Sequence, residues 1–202
     1  PEFYPRPAED LSAPLARFAL MPGGYTLFAG TIEPRKNVVT LLEAYARLPL
    51  TVRQRWPLVL VGYRGWNSEA IHEKIVDAER QGWARYFGYV SAGDLPILFA
   101  GARLFAFPSL YEGFGLPVLE AMASGIPVVC SNHASLPEVA GAAAAMCAAE
   151  DVEALSAQIE RGLVDEAWRN QAREKGFAQA ARFSWQRCVE ATLKAYRAAS
   201  TE

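Results

Sequence analysis

The sequence has little of what metal and redox chemistry needs: three cysteines and two histidines among 202 residues. Cys130, Cys147 and Cys188 are widely spaced, with no CxxC pair and no histidine-rich neighbourhood. That argues against a structural zinc site and suits a reduced, cytoplasmic compartment. Long apolar runs are also missing. The longest candidate, Val139 to Ala149, falls well short of the ~20 residues of a membrane-spanning helix, so no transmembrane segment is expected. The opening PEFYPRPAED has no charged stretch followed by an apolar core, and hence no visible signal peptide. It starts with Pro1 and lacks an initiator Met, so the chain reads as a piece of a longer protein. Nor is there an excess of one charge. Twenty Lys and Arg against twenty-two Asp and Glu give a net charge of −2, which argues against a nucleic-acid partner.

What the chain does have is apolar content, 51% against 21% charged, enough for a buried core in one ordinary domain. Residues 1–24 carry five prolines and end in Gly23-Gly24, and read as a linker or irregular arm. From Tyr25 short β-rich apolar runs recur at Tyr25–Ala29, Pro57–Val61, Ala84–Phe87, Leu104–Phe107 and Pro127–Cys130. Between them lie helical periodicities: one opening after Asn37 as N-cap, one over Ser68–Gln81, one over Asp94–Ala102. Strands alternating with helices imply βαβ crossovers, and continuous apolar strands imply burial on both faces. After the fifth run, Asp151–Val164, Glu166–Ala181 and Ser184–Ala199 read as three consecutive helices. The expected fold is α/β: a doubly wound parallel sheet over residues 25–183 with a helical C-terminal tail over residues 184–202.

In such a sheet ligands bind outside the carboxyl ends of the strands. Two loops there stand out. The first, Gly30 to Asn37, sets Arg35 and Lys36 just before a helix N-terminus, where backbone amides and the helix dipole favour an anion. A solvated basic turn is the plainer alternative. The second, Ser109 to Pro117, has Gly113 and Gly115 ahead of a helix running to about Ser124, with Pro117 in its first turn. Glu112 and Glu120 flank this amide cluster. Carboxylates beside a phosphate site make sense if each accepts hydrogen bonds from a diol. A ligand with phosphates in the middle and a diol at either end satisfies both, and a nucleotide sugar is such a ligand. Each glutamate alone is equally a surface or helix-start carboxylate.

EGFGLPVLE followed by AMASGIPVV resembles the E-x7-E signature of glycosyltransferase family 4, the group 1 glycosyltransferases of the GT-B fold. GTIEPRKN, FGYVSAGDLPILFAGARLFAFPS, SLPEVAG and FSWQRCVEATLKAY extend the likeness over residues 25–199. The match is to the carboxy-terminal, donor-binding half of a two-domain enzyme. The resemblance implies a Rossmann-like half in which Glu112 contacts donor-sugar hydroxyls and Glu120 the ribose. It gives the backbone of Gly113, Phe114, Gly115 and Leu116 the diphosphate and sugar, and Lys36 the phosphates. Many members carry Arg directly after the strand glycine; here that position is Thr31, and Arg35, four residues on, is expected to supply the missing charge. The base belongs near Gly88, Tyr89 and Val90, with Tyr89 either stacking on it or packed in the core.

The implied reaction is transfer of a hexose with retention, with Glu112, Lys36 and Arg35 as the catalytic candidates. GTIEPRKN resembles members that use GDP-mannose, which is therefore the expected donor, with a UDP-sugar as runner-up. No D-x-D pair occurs, so no divalent metal is demanded and no cofactor beyond the donor is expected. The expected partners are a glycan or lipid-linked acceptor and an N-terminal acceptor domain that this chain lacks. Any peripheral contact with the inner membrane would come through that half. On its own the fragment is expected to bind donor but to transfer poorly. A non-catalytic nucleotide-binding module and an epimerase are the competing readings. His133 reads as a turn residue, His72 as solvated and Glu138 as a helix-start carboxylate. Phe105, Phe107, Trp66 and Trp83 read as core or rim packing, and Ser109 and Ser124 have no histidine partner for a hydrolase triad.

Overall fold

Apolar side chains on both faces of a strand are satisfied only inside a sheet that is covered on both sides. In the computed structural model, which describes residues 2–199, six strands meet that condition. They are β1 (Thr26–Ala29), β2 (Leu58–Val61), β3 (Ala84–Tyr86), β4 (Leu104–Phe107), β5 (Val128–Ser131) and β6 (Ala144–Cys147). Every neighbouring pair is parallel, in the order β3-β2-β1-β4-β5-β6. Thr26 of β1 registers with Leu58 on one side and Leu104 on the other, so the order of connection reverses between β1 and β4. In a doubly wound sheet that reversal opens a crevice at the carboxyl edge.

The crossovers are α2 (Val38–Arg47) with α3 (Leu50–Arg55), α4 (Glu69–Arg80), α5 (Leu95–Gly101), α6 (Leu116–Ala123) and α7 (Leu136–Ala140). The tail is α8 (Val152–Val164), α9 (Glu166–Ala180) and α10 (Trp185–Ala199). Asp151 and Asp165 cap α8 and α9, each carboxylate accepting a backbone N–H three residues on at 2.9 Å. Residues 1 and 200–202, the outermost ends of the expected arm and tail, lie outside the described residues.

Four expectations need correcting. Residues 1–24 are not an irregular arm throughout: Ala8–Ala16 forms a helix, α1, with Pro14 inside it. Leu11 and Leu15, one turn apart, are buried, and Leu15 packs so closely on α5 that a Cβ on Gly101 would come within 2.5 Å of it. The sheet gains a sixth strand from Ala144–Cys147, an alanine-rich stretch of helical propensity that pairing with β5 pulls into the extended state. His72 is half-buried, its ring edge-on to Tyr86 at 5.0 Å, not freely solvated. Asn37 precedes α2 as expected but does not cap it through its side chain. Its backbone is left-handed at φ 56°, and its side-chain amide donates to Pro108 O (3.0 Å) and Ala149 O (2.7 Å). The Thr40 hydroxyl donates back to Asn37 Oδ1 at 2.6 Å.

Candidate nucleotide-sugar site

The exit of β1 turns through a 3₁₀ segment, Pro34–Lys36, into α2, and the exit of β4 runs through Ser109–Gly115 into α6. Because β1 and β4 are neighbours, these two loops lie side by side, and Leu110 N–H donates to Arg35 O at 2.9 Å. Their charged side chains interlock. Lys36, only 7% exposed, places Nζ 2.6 Å from Glu112 Oε1 and 4.9 Å from the centre of the Phe107 ring. Arg35 donates to Glu33 Oε1 through Nη2 (2.6 Å) and Nε (3.1 Å), and through Nη1 to Glu112 Oε2 (3.1 Å) and Tyr111 O (2.7 Å). Partial burial works against the charge on Arg35, but the Glu112 and Glu33 carboxylates outweigh it and raise the guanidinium pKa. Two buried acids and two bases thus form a charge-neutral chain in the order Glu33, Arg35, Glu112, Lys36.

The loop that carries Glu112 is held from below. The Ser135 hydroxyl, just before α7, lies 2.9 Å from Glu112 O and 2.7 Å from Phe114 O. Gly115 then enters α6 at φ 105°, and a Cβ there would approach Leu136 to 2.8 Å. Only glycine accepts both constraints. The first amides of α6 are therefore presented at a fixed place beside the ion cluster, as an anion site requires.

Next to this cluster, at the carboxyl ends of β1, β2 and β3, opens a cleft of about 250 Å³. Gly30, Thr31, Tyr89, Val90, Pro117 and Glu120 line it from residues already singled out in the sequence, together with Gly62 and Tyr63 at the exit of β2. It adjoins the ion cluster through Gly30, where an added Cβ would touch the Lys36 stem at 3.6 Å. Glu120, half-buried on α6, has its carboxyl pKa pushed up to about 7, by burial first and then by the nearby Glu2.

The sequence-predicted residues thus fall into two adjoining groups. Thr31, Tyr89, Val90 and Glu120 share the cleft; Arg35, Lys36 and Glu112 share the ion cluster. Gly113, Phe114 and Leu116 are exposed at the start of α6, outside the cleft, and Gly88 is a backbone element whose carbonyl accepts from Gly62 N–H at 2.8 Å. Tyr89 is neither packed in the core nor isolated. It is exposed and stacks on Tyr63. Glu33, Gly62, Tyr63 and Ser135 were not singled out. Gly62-Tyr63 had a readable signal, since every strand of a parallel sheet ends on the same edge and the PLVLV run ends at Val61. Glu33 and Ser135 act through contacts that only the folded chain shows.

A doubly wound parallel domain, with glycine-rich loops, clustered cations and a carboxylate-lined cleft at its switch point, is a nucleotide-binding class of architecture. Within that class the chain belongs to the glycosyl transferases group 1 family, whose model matches residues 21–179. It is 50% identical over 197 residues to the O-antigen chain mannosyltransferase B of Escherichia coli, covering 97% of this chain and 51% of that protein. A serotype-specific mannosyltransferase WbdA of Escherichia coli is 38% identical over 180 residues, covering 87% of this chain and 22% of the relative. The chain therefore spans about half or less of the length of these curated relatives.

Among solved structures, sucrose-phosphate synthase from Thermosynechococcus elongatus superposes with a TM-score of 0.79 at 25% identity, over 99% of this chain and 50% of that one. Anabaena HepE, solved in complex with UDP-glucose, superposes at 0.76 with 20% identity, over 89% of this chain and 50% of that one, a likeness of fold. The resemblance read from EGFGLPVLE and its companion motifs is thus shown, as is the Rossmann-like half of a GT-B fold. Among the described residues, no helix is long and apolar enough to cross a membrane, and no group of three His, Cys, Asp or Glu is arranged to hold a metal ion.

Proposed function

We propose that this chain is the donor-binding half of a retaining glycosyltransferase that transfers mannose from GDP-mannose to a glycan or lipid-linked acceptor. The acceptor is held by an amino-terminal half, and three unpaired thiols suit a cytoplasmic setting. The single observation that carries the reading is the juxtaposition of the Arg35–Glu112–Lys36 cluster with the Glu120 cleft at the β1/β4 switch point. The mannosyltransferase relatives support the sugar.

In this reading Lys36, Arg35 and the amides of Phe114, Gly115 and Leu116 receive the diphosphate. Glu120 accepts hydrogen bonds from the ribose diol and Glu112 from the sugar hydroxyls, with Gly113 letting the backbone come close. Thr31 borders the phosphates, and Gly88, Tyr89 and Val90 border the base. Breaking the sugar–phosphate bond leaves negative charge on the terminal phosphate and positive character on the sugar. Cations and amides fixed at the leaving phosphate stabilise that separation more than the ground state, which lowers the barrier. Glu112 pairs with both cations, so donor binding is an exchange of partners: phosphate oxygens replace the carboxylate, and the carboxylate turns to the sugar.

Calorimetric titration with GDP, UDP and ADP tests the reading. Binding of GDP is expected to weaken at least tenfold in both Lys36→Ala and Glu120→Ala. Affinity untouched by both changes would mean that the ligand sits elsewhere.

A further inference from the structure

Tyr63, at the exit of β2, and Tyr89, after β3, stack with ring centres 4.7 Å apart and 21° between their planes. Each is 60% exposed, and both line the cleft. Among the described residues neither phenol oxygen has a hydrogen-bond partner, so no core role explains the pair.

The backbone beneath the Tyr63 ring is, by contrast, tied to its neighbours. Tyr63 O accepts from Ile32 N–H at 2.8 Å, Gly62 N–H donates to Gly88 O at 2.8 Å, and Gly62 O accepts from the Tyr86 hydroxyl at 2.9 Å. The exits of β1, β2 and β3 are thereby joined at the foot of this side chain. A fixed backbone that displays an aromatic face into a ligand cleft is the build of a stacking platform.

We infer that Tyr63, backed by Tyr89, is the surface on which the donor's base stacks, and that its ring area selects a purine over a pyrimidine. This rests on the donor-site reading and adds to it one residue and a physical basis for the choice of base. Stacking a base on an aromatic ring is worth about 1–3 kcal/mol, and every base has a π-face to offer. The gain grows with the overlapped apolar area, so a two-ring purine gains more than a one-ring pyrimidine. Beside the tyrosines the wall includes Val61, Val90 and Leu95, and among the described residues Glu120 is the one charged residue lining the cleft. With no arginine or second carboxylate among these lining residues to read the edge of a base, stacked area gains weight in the discrimination beside the Thr31 hydroxyl and the backbone groups.

The test is titration of the 202-residue chain with GDP, UDP and inorganic pyrophosphate, for the parent protein, Tyr63→Ala and Tyr63→Phe. GDP is expected to bind at least fivefold more tightly than UDP. Tyr63→Ala should lower GDP affinity about tenfold, UDP affinity less, and pyrophosphate affinity not at all, so that the preference collapses. Tyr63→Phe, which keeps the ring, should restore the preference. A GDP-to-UDP ratio unchanged in Tyr63→Ala, or an equal loss for all three ligands, would overturn the inference while leaving the donor site standing. If the parent protein bound pyrophosphate but neither nucleotide, or none of the three, the donor-site reading would fall and this inference with it.

Discussion

Lys36 Nζ lies 2.6 Å from one oxygen of the Glu112 carboxylate while Arg35 Nη1 lies 3.1 Å from the other, so a single acid holds two cations from the facing loop. Removing one partner of a buried pair costs on the order of 3 kcal/mol, because the remaining charge is left without its counter-ion. Glu112→Gln is therefore expected to lower the melting temperature by several degrees and, with the cations released, to bind GDP several-fold more tightly. GDP-mannose should gain less, since the same change removes an acceptor for sugar hydroxyls. Differential scanning calorimetry with and without GDP, alongside titration of both ligands, checks the pair of effects. A variant with unaltered GDP affinity would show that Glu112 does not compete with phosphate.

The raised pKa of Glu120 gives stability a definite slope with pH. Its carboxyl titrates at about 7 in the folded chain, against an ordinary value of 4.5, so between these pH values the folded state holds the extra proton. The stabilisation is full below pH 4.5 and is lost as pH rises through 7. Glu120→Gln should flatten the melting temperature over that window and raise it at pH 8, at about 2–4 °C per kcal/mol recovered. Ligand binding supplies a second check. A ribose diol calls for the ionised carboxylate, so GDP binding near pH 6.5 should release a proton, read from the dependence of binding heat on buffer ionisation enthalpy.

At the tips of β1 and β2 the backbones nearly touch. A Cβ on Gly62, whose φ is 141°, would lie 1.9 Å from Gly30 O. Gly62→Ala is expected to destabilise by about 3 kcal/mol, from backbone strain and the clash together, and to abolish GDP binding by moving the cleft wall. Gly93→Ala, where nothing lies nearer than Ser91 Oγ at 3.9 Å, should stay within about 0.5 kcal/mol of the parent protein. Urea denaturation curves distinguish the two.

Ser135 supports the loop of Glu112 and Phe114 without belonging to it. Ser135→Ala strands carbonyls that the hydroxyl now serves, at about 1 kcal/mol for the lost hydrogen bond. The expected result is a several-fold rise in the GDP dissociation constant with a melting temperature lowered by only about 2–4 °C. A large melting shift with unchanged affinity would make the residue purely structural.

The repeating strands were legible because burial on both faces leaves uninterrupted apolar runs such as LVLV and LFAF. Helix α1 was hidden by its prolines: Pro7 precedes it and Pro14 sits inside it, and only its seat on α5 shows why it forms. Strand β6 was hidden by alanine, whose helical preference yields to pairing with β5. The loops around Lys36 and Glu112 could be read from glycine, charge and position in the fold. That Lys36 and Glu112 hold each other could not, because 76 residues separate them and nothing local links the two. The place of Tyr63 at the carboxyl edge could be read from the end of the PLVLV run, but its stacking on Tyr89 could not, because the two rings stand on different loops.

The amide of Asn37 reaches Pro108 O and Ala149 O from the start of α2, so one side chain laces together segments that follow β1, β4 and β6. The aperture between them is set by this lacing before any ligand arrives, much as a tie-rod fixes the span of an arch. Aspartate in its place would turn oxygen toward oxygen at both anchor points and let the gap spread, loosening the proposed phosphate seat without altering one residue of it.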